Sequence, residues 1–161
     1  SGHNDIVMIF FTLSSFFMLM KKKVFFALLL FALSILIKYA TILLIPIFLY
    51  ILWKTFRKKE VNWKNIFYFS FLLMFVGFLL SPIREEIYPW YAIWFLSFAF
   101  LTPDRKILFY TSIAFSFSLL LRYTPYMLTG TYAGQTTIAK EIISFSFPAI
   151  FYIYYVLKKK I

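Results

Sequence analysis

Seven apolar runs, separated by charged and turn-forming residues, set the limits on what this chain can fold into. They are Ile6–Met20, Val24–Ile37, Ala40–Trp53, Ile66–Leu80, Tyr88–Leu101, Ile107–Leu121 and Ile142–Leu157. None shows the apolar–polar alternation of a half-buried strand. A span in lipid has to satisfy its own backbone N–H and C=O groups, so such runs form helices. Several are about 15 residues long, short of the ~20 needed to cross a bilayer perpendicularly. Flanking Tyr, Trp and snorkelling Lys extend them, and local thinning of the bilayer absorbs the remainder. The expected fold class is all-α: a polytopic transmembrane helical bundle of about seven helices, forming one domain.

Composition removes several competing classes. Hydrophobic residues make up 63% of the chain, against roughly 45–50% in a soluble domain. The net charge of +11 would suggest nucleic acid in a soluble protein. Here the cations punctuate apolar runs and read as an orientation signal, so no nucleic-acid partner is expected. With 23 Phe, 12 Tyr and 4 Trp, many rings must face lipid or the headgroup zone. The chain has no cysteine, which excludes disulfides and thiolate metal sites. One His and scattered acids also argue against a protein-built zinc site, so no metal and no cofactor is expected.

The second and third runs join into one tract interrupted only by Lys38. An ammonium near the bilayer centre costs about 2.5–3.5 kcal/mol on insertion scales, so Lys38 marks either an interfacial break or a site inside a bundle. The loops decide between these. If the tract makes two crossings that meet at Lys38, thirteen cations fall on one side: Lys21–Lys23, Lys54, Arg57, Lys58, Lys59, Lys64, Arg105, Lys106 and Lys158–Lys160. Lys38, Arg84, Arg122 and Lys140 fall on the other. A single long crossing would give ten against six, with Lys38 in the span. The positive-inside rule favours two crossings. Seven crossings follow, with the N-terminus outside and the Lys158-Lys159-Lys160 tail cytoplasmic. His3, Asn4, Asp5, Lys38, Arg84, Glu85, Glu86, Arg122, Lys140, Glu141 and the long loop Tyr123–Lys140 then share the outer face, and chemistry is expected there. Ser1-Gly2-His3-Asn4-Asp5 leads straight into an apolar run with neither Met nor a basic n-region, and the chain is expected to begin inside a larger protein.

Each of these residues also has a plain structural reading. Asn4 or Asp5 caps the first helix, where an acid meets the positive end of its dipole. Lys38 snorkels outward, or binds a lipid phosphate beside a helix break. Pro46 kinks or breaks its helix. Tyr88, Trp90, Tyr91 and Trp94 form an interfacial aromatic belt. Arg84 with Glu85 or Glu86 forms a solvated ion pair worth under ~1 kcal/mol.

Three stretches together resemble a known family. Gly2-His3-Asn4-Asp5 opens a hydrophobic helix; Lys38 is followed by Pro46 after seven intervening residues; Ser81-Pro82 precedes Tyr88-Pro89-Trp90-Tyr91-Ala92-Ile93-Trp94. In order and spacing this is similar to the polyprenyl-phosphate-sugar-dependent glycosyltransferases of the GT-C superfamily, notably the bacterial membrane mannosyltransferases. The resemblance covers about two-thirds of the chain. It implies transfer of a sugar, mannose by analogy, from a polyprenyl-phosphate donor to a glycan or glycolipid acceptor at the outer face of the bacterial cytoplasmic membrane. A lipid-phosphate leaving group needs no nucleotide-binding glycine loop, and none is seen. It needs cations near the surface, for which Lys38 is the leading candidate, with Arg84 and Arg122 as helpers. Asp5 and His3 are the candidate catalytic residues, to assist or orient a general base. Asn4, Tyr39, Tyr88, Trp90 and Tyr91 are candidate substrate-binding residues, the rings stacking on sugar or lining a polyprenyl groove. Members of the superfamily also carry an essential acid in a first outer loop, which nothing here matches. The chain is therefore expected to be a C-terminal portion without that carboxylate, inactive alone. A transporter or lipid flippase, and a non-catalytic membrane scaffold, are the competing readings; the first would carry polar or acidic residues deep in its spans, where this sequence has mainly Ser and Thr.

Overall fold

The computed structural model describes residues 2–81, 87–131 and 135–160. Every regular element among them is helical, as expected, and each of the seven apolar runs lies on a helix. Among the described residues, five helices are long and apolar enough to cross a membrane: Gly2–Met20, Tyr39–Phe56, Trp63–Leu80, Lys106–Thr129 and Ile138–Lys158. Val24–Ile37 and Pro89–Phe100 are apolar but shorter. The chain divides into two compact units, Ser1–Thr102 and Pro103–Ile161.

The first unit is a series of antiparallel hairpins. Helix α1 (Gly2–Met20) ends at the lysine turn, where Lys22 takes a left-handed conformation (φ 58°). Lys23 N–H bonds Met18 C=O at 2.9 Å and Lys22 N–H bonds Leu19 C=O at 2.9 Å, the paired bonds that close a helix C-terminus in a Schellman motif. Helix α2 (Val24–Ile37) then returns along α1. Small hydroxyl residues let the two backbones approach. Ser34 Oγ donates to Met8 C=O at 2.9 Å and pairs with Thr12 Oγ1 at 2.7 Å. Ser34 Oγ also lies 3.1 Å from Thr41 Oγ1, tying in the next segment. Thr12, Ser34 and Thr41 are fully buried, and each hydroxyl finds a partner inside the protein, as apolar surroundings require.

At Lys38 the backbone leaves the helix (φ −157°, ψ 125°) and reverses. A 3₁₀ segment, Tyr39–Leu44, leads into α3, Ile45–Phe56. Phe31 of α2 stacks on Phe48 of α3 with ring centroids 4.3 Å apart, so the chain after the break turns back toward α2. Pro46 sits in the first turn of α3, where its missing N–H has no intrahelical partner to lose. It marks the passage from 3₁₀ to α geometry and breaks nothing. Helix α4 (Trp63–Leu80) is capped by Asn62, whose side-chain oxygen accepts from Asn65 N–H at 3.1 Å. The 3₁₀ turn Pro89–Tyr91 and α5 (Ala92–Phe100) return along α4, with Phe95 against Phe71, Phe75 and Phe78. Phe16 of α1 meets Phe48, Phe67 and Phe98 edge-on at 5.9–6.2 Å and joins four helices in one core.

This alternation sorts the unit's charges. Lys21–Lys23, Lys54–Lys59 and Lys64 gather at one end. The start of α1, Lys38, the end of α4 and the Tyr88–Trp94 aromatics gather at the other.

The second unit is a helical hairpin of α6 (Lys106–Leu121) and α8 (Gln135–Lys160), joined through the short helix α7 (Thr124–Thr129). The stretch expected as a long loop, Tyr123–Lys140, is thus largely helical. Gly130 closes α7 with φ 70° and an N–H bond to Tyr126 C=O at 2.8 Å, a geometry that a residue with a Cβ resists. Phe115 packs edge-on against Phe145 and Phe117 against Phe147, and Ser118 Oγ donates to Ile143 C=O at 2.9 Å.

A buried carboxylate–ammonium pair beneath an aromatic cleft

The two charged residues of the site come from opposite directions along the chain. Asp5 lies in the first turn of α1, where the helix dipole favours a negative charge, and Lys38 caps the C-terminus of α2, where it favours a positive one. Antiparallel packing brings them together: Lys38 Nζ donates to Asp5 Oδ1 at 2.8 Å. Asp5 has no exposed side-chain surface, while Lys38 retains 17%. The indole N–H of Trp94 donates to the same Oδ1. Asp5 Oδ2 is also buried and takes no hydrogen bond from the protein.

Aromatic rings enclose the ammonium. Its nitrogen lies 4.2 Å from the Tyr91 ring centroid and 4.9 Å from that of Trp94, within cation–π range. Tyr91 and Trp94 stack at 4.6 Å, as do Tyr88 and Trp90. This platform rests on the start of α1: a Cβ at Gly2 would come within 3.2 Å of the Trp90 ring. A side chain at that position would require the Trp90 ring to give by a few tenths of an ångström. The Gly-His-Asn-Asp stretch, Lys38 and the Pro-Trp-Tyr-x-x-Trp stretch, dispersed in sequence, therefore meet at one end of the first unit.

Lys38 stands between two cavities of different character. An open cleft of about 640 Å³ is lined by Asn4, Lys38, Tyr39, Tyr88, Trp90 and Tyr91, with the end of α2. An apolar groove of about 270 Å³ runs from Lys38 and Tyr39 past Ile42 and Leu43 to Gly77, Leu80 and Trp94. An ammonium offers three N–H donors, and Asp5 accepts one of them. The arrangement suits a ligand with an anionic head and an apolar tail.

Of the residues picked out from sequence, Asn4, Asp5, Lys38, Tyr39, Tyr88, Trp90 and Tyr91 are assembled here. His3 is exposed at the same end and does not line the cleft. Arg84, with Glu85 and Glu86, lies outside the described residues. Arg122 belongs to the second unit, where it is buried and donates to Ser144 Oγ at 2.9 Å. The sequence placed Trp94 in an aromatic belt and at the end of the Pro-Trp-Tyr-x-x-Trp stretch, with no sign of its bond to Asp5. The pairing of Asp5 with Lys38 was missed as well, although a signal existed. The two residues stand 17 and 16 positions from Lys22, so arms of equal rise bring them level. Comparison with family models, curated proteins and solved structures finds no match to this chain.

Proposed function

We propose that this chain is part of a membrane glycosyltransferase that moves a sugar, mannose by analogy, from a polyprenyl-phosphate donor to a glycan or glycolipid acceptor. The observation that carries the reading is the position of Lys38, with a polar, aromatic-walled cleft on one side and an apolar groove on the other. The donor's phosphate lies against the ammonium, its sugar in the cleft and the first part of its prenyl chain in the groove. As the bond from the sugar's anomeric carbon to the phosphate oxygen breaks, negative charge builds on the phosphate, and a fixed cation in a poorly hydrated setting stabilises it. Tyr91 and Trp94 hold the ammonium, and Asn4, Tyr88 and Trp90 face the sugar.

Asp5 has a different part from the catalytic one expected of it. Wholly buried and paired with Lys38, it orients and balances the cation as a positioning residue. His3, exposed at the same end, is this chain's candidate for taking the acceptor's proton. The charge distribution supports seven crossings of the bacterial cytoplasmic membrane with this end outside, the shorter Val24–Ile37 and Pro89–Phe100 crossing where flanking residues and local thinning make up their length.

The test is transfer of radiolabelled mannose from polyprenyl phosphate by membranes containing the full-length protein. Lys38→Met combined with Asp5→Leu, which leaves no unpaired buried charge, is expected to abolish transfer while the protein still accumulates. Unchanged turnover would end the assignment. Substrate uptake by proteoliposomes without sugar transfer would identify a transporter instead.

A further inference from the structure

At the opposite end of the first unit, α3 and α4 leave a second groove of about 580 Å³ between them. Its walls are Ile47, Ile66, Phe69, Leu72 and Leu73, with Tyr50, Asn62 and Asn65 at one end. From Asn65 to Leu73 it follows α4 for about 12 Å at 1.5 Å per residue. The polar end is flanked in sequence by a strongly cationic stretch, Lys54, Arg57, Lys58, Lys59 and Lys64, in which Glu60 is the only acid; Lys54 stands one helical turn beyond Tyr50 and Lys64 is next to Asn65. Lys54 is directed back over the groove wall, its nitrogen 5.8 Å from the Tyr50 ring centroid. Lys58 occupies the left-handed position that closes α3 (φ 53°), where glycine would be less strained. A cation is held there at a conformational cost.

We propose that this groove is a binding site for an anionic phospholipid, one acyl chain lying along α4 and the phosphate among the cations at its mouth. Charge and shape agree on that occupant: a neutral lipid would leave the cationic mouth unmatched, and a soluble anion would leave the apolar walls unfilled. Basic segments beside membrane helices attract anionic lipids generally. What distinguishes this one is the chain-sized groove at its foot. The Lys21–Lys23 turn has a comparable charge density and closes directly onto a tight helix end. The inference is independent of the glycosyl-transfer reading and concerns the other end of the molecule.

The experiment uses the intact protein reconstituted in phosphatidylcholine vesicles, with spin-labelled phosphatidylglycerol and phosphatidylcholine competing for the motionally restricted lipid sites. Phosphatidylglycerol is expected to be preferred. Lys54→Gln with Lys58→Gln should lower that preference by about fivefold per cation, the equivalent of ~1 kcal/mol each. Leu73→Trp, which fills the groove and leaves the charges in place, should lower it as well. The triple change Lys21→Gln, Lys22→Gln, Lys23→Gln should leave it within about twofold of the parent, since the groove between α3 and α4 is not lined by that turn. An equal loss in the triple variant would reduce the effect to general surface attraction and overturn the site. Full retention in Leu73→Trp would overturn it too. A check on the unmodified protein covers failure of that variant to fold: glycerophosphoglycerol and inorganic phosphate, which have no chains, should not displace the labelled lipid. Displacement by either, or cross-linking of two copies through the groove, would overturn the proposal.

Discussion

Removing the Asp5–Lys38 pair one charge at a time, and then both together, asks what the pair contributes to the fold. Deleting one partner of a buried ion pair costs about 3–5 kcal/mol, and the structure makes the two deletions unequal. Lys38→Met leaves a carboxylate with no exposed surface and the Trp94 N–H as its remaining donor, so its cost belongs in the upper part of that range. Asp5→Leu leaves an ammonium that keeps 17% of its surface and still faces Tyr91 and Trp94. Those contacts are worth ~0.5–2 kcal/mol each, which brings the expected cost down to about 1–3 kcal/mol. The double variant removes both charges and substitutes apolar volume, a change that is often near neutral, with ~1 kcal/mol lost where the Trp94 indole is left without an acceptor. A coupling of about 4–7 kcal/mol is therefore expected, the two single costs less that of the double variant. Reversible unfolding of the four proteins in mixed detergent micelles measures it. Single effects that add to within ~0.5 kcal/mol would refute the reasoning, because contact in the structure would then carry no mutual stabilisation. The double variant also separates stability from chemistry: it should fold like the parent and transfer no sugar.

Two further expectations follow from the same geometry. Gly77 lines the apolar groove beside Lys38, and a Cβ there would displace the end of the Leu43 side chain, so Gly77→Ala should narrow the groove and raise KM for long-chain donors more than for short-chain ones; an equal effect on both would remove the groove from donor binding. The chain has no cysteine, so His3→Cys and Lys58→Cys can each be labelled alone. A membrane-impermeant maleimide added to intact cells should modify the first and spare the second, and labelling of Lys58→Cys alone would invert the proposed orientation.

Much of the architecture was legible in the residues because the bilayer is a severe solvent. Apolar runs without alternation can only be helices there, and all seven are. The break at Lys38 was legible for a related reason, since a cation within a 30-residue apolar tract is costly unless the chain turns. Pro46 was less informative, because proline is disruptive in a helix interior and harmless in a first turn, and sequence alone did not say where α3 begins. The stretch Tyr123–Lys140 read as loop because its Gly and Thr content masked the short helix that Gly130 closes.

The sequence by itself determined an all-helical chain of long apolar segments with its cations clustered between them, because hydropathy and charge are properties of residues one at a time. Tertiary structure decided which residues belong together. Asp5 and Lys38 are separated by more than 30 positions, and Trp94 lies nearly 90 beyond Asp5. Only the register of the α1–α2 hairpin and the return of α5 onto α1 place all three around one oxygen atom. Tertiary structure also moved Asp5 from the cleft to the interior beneath it. Its position on a helix can be read locally, whereas its burial depends on which helices pack over it.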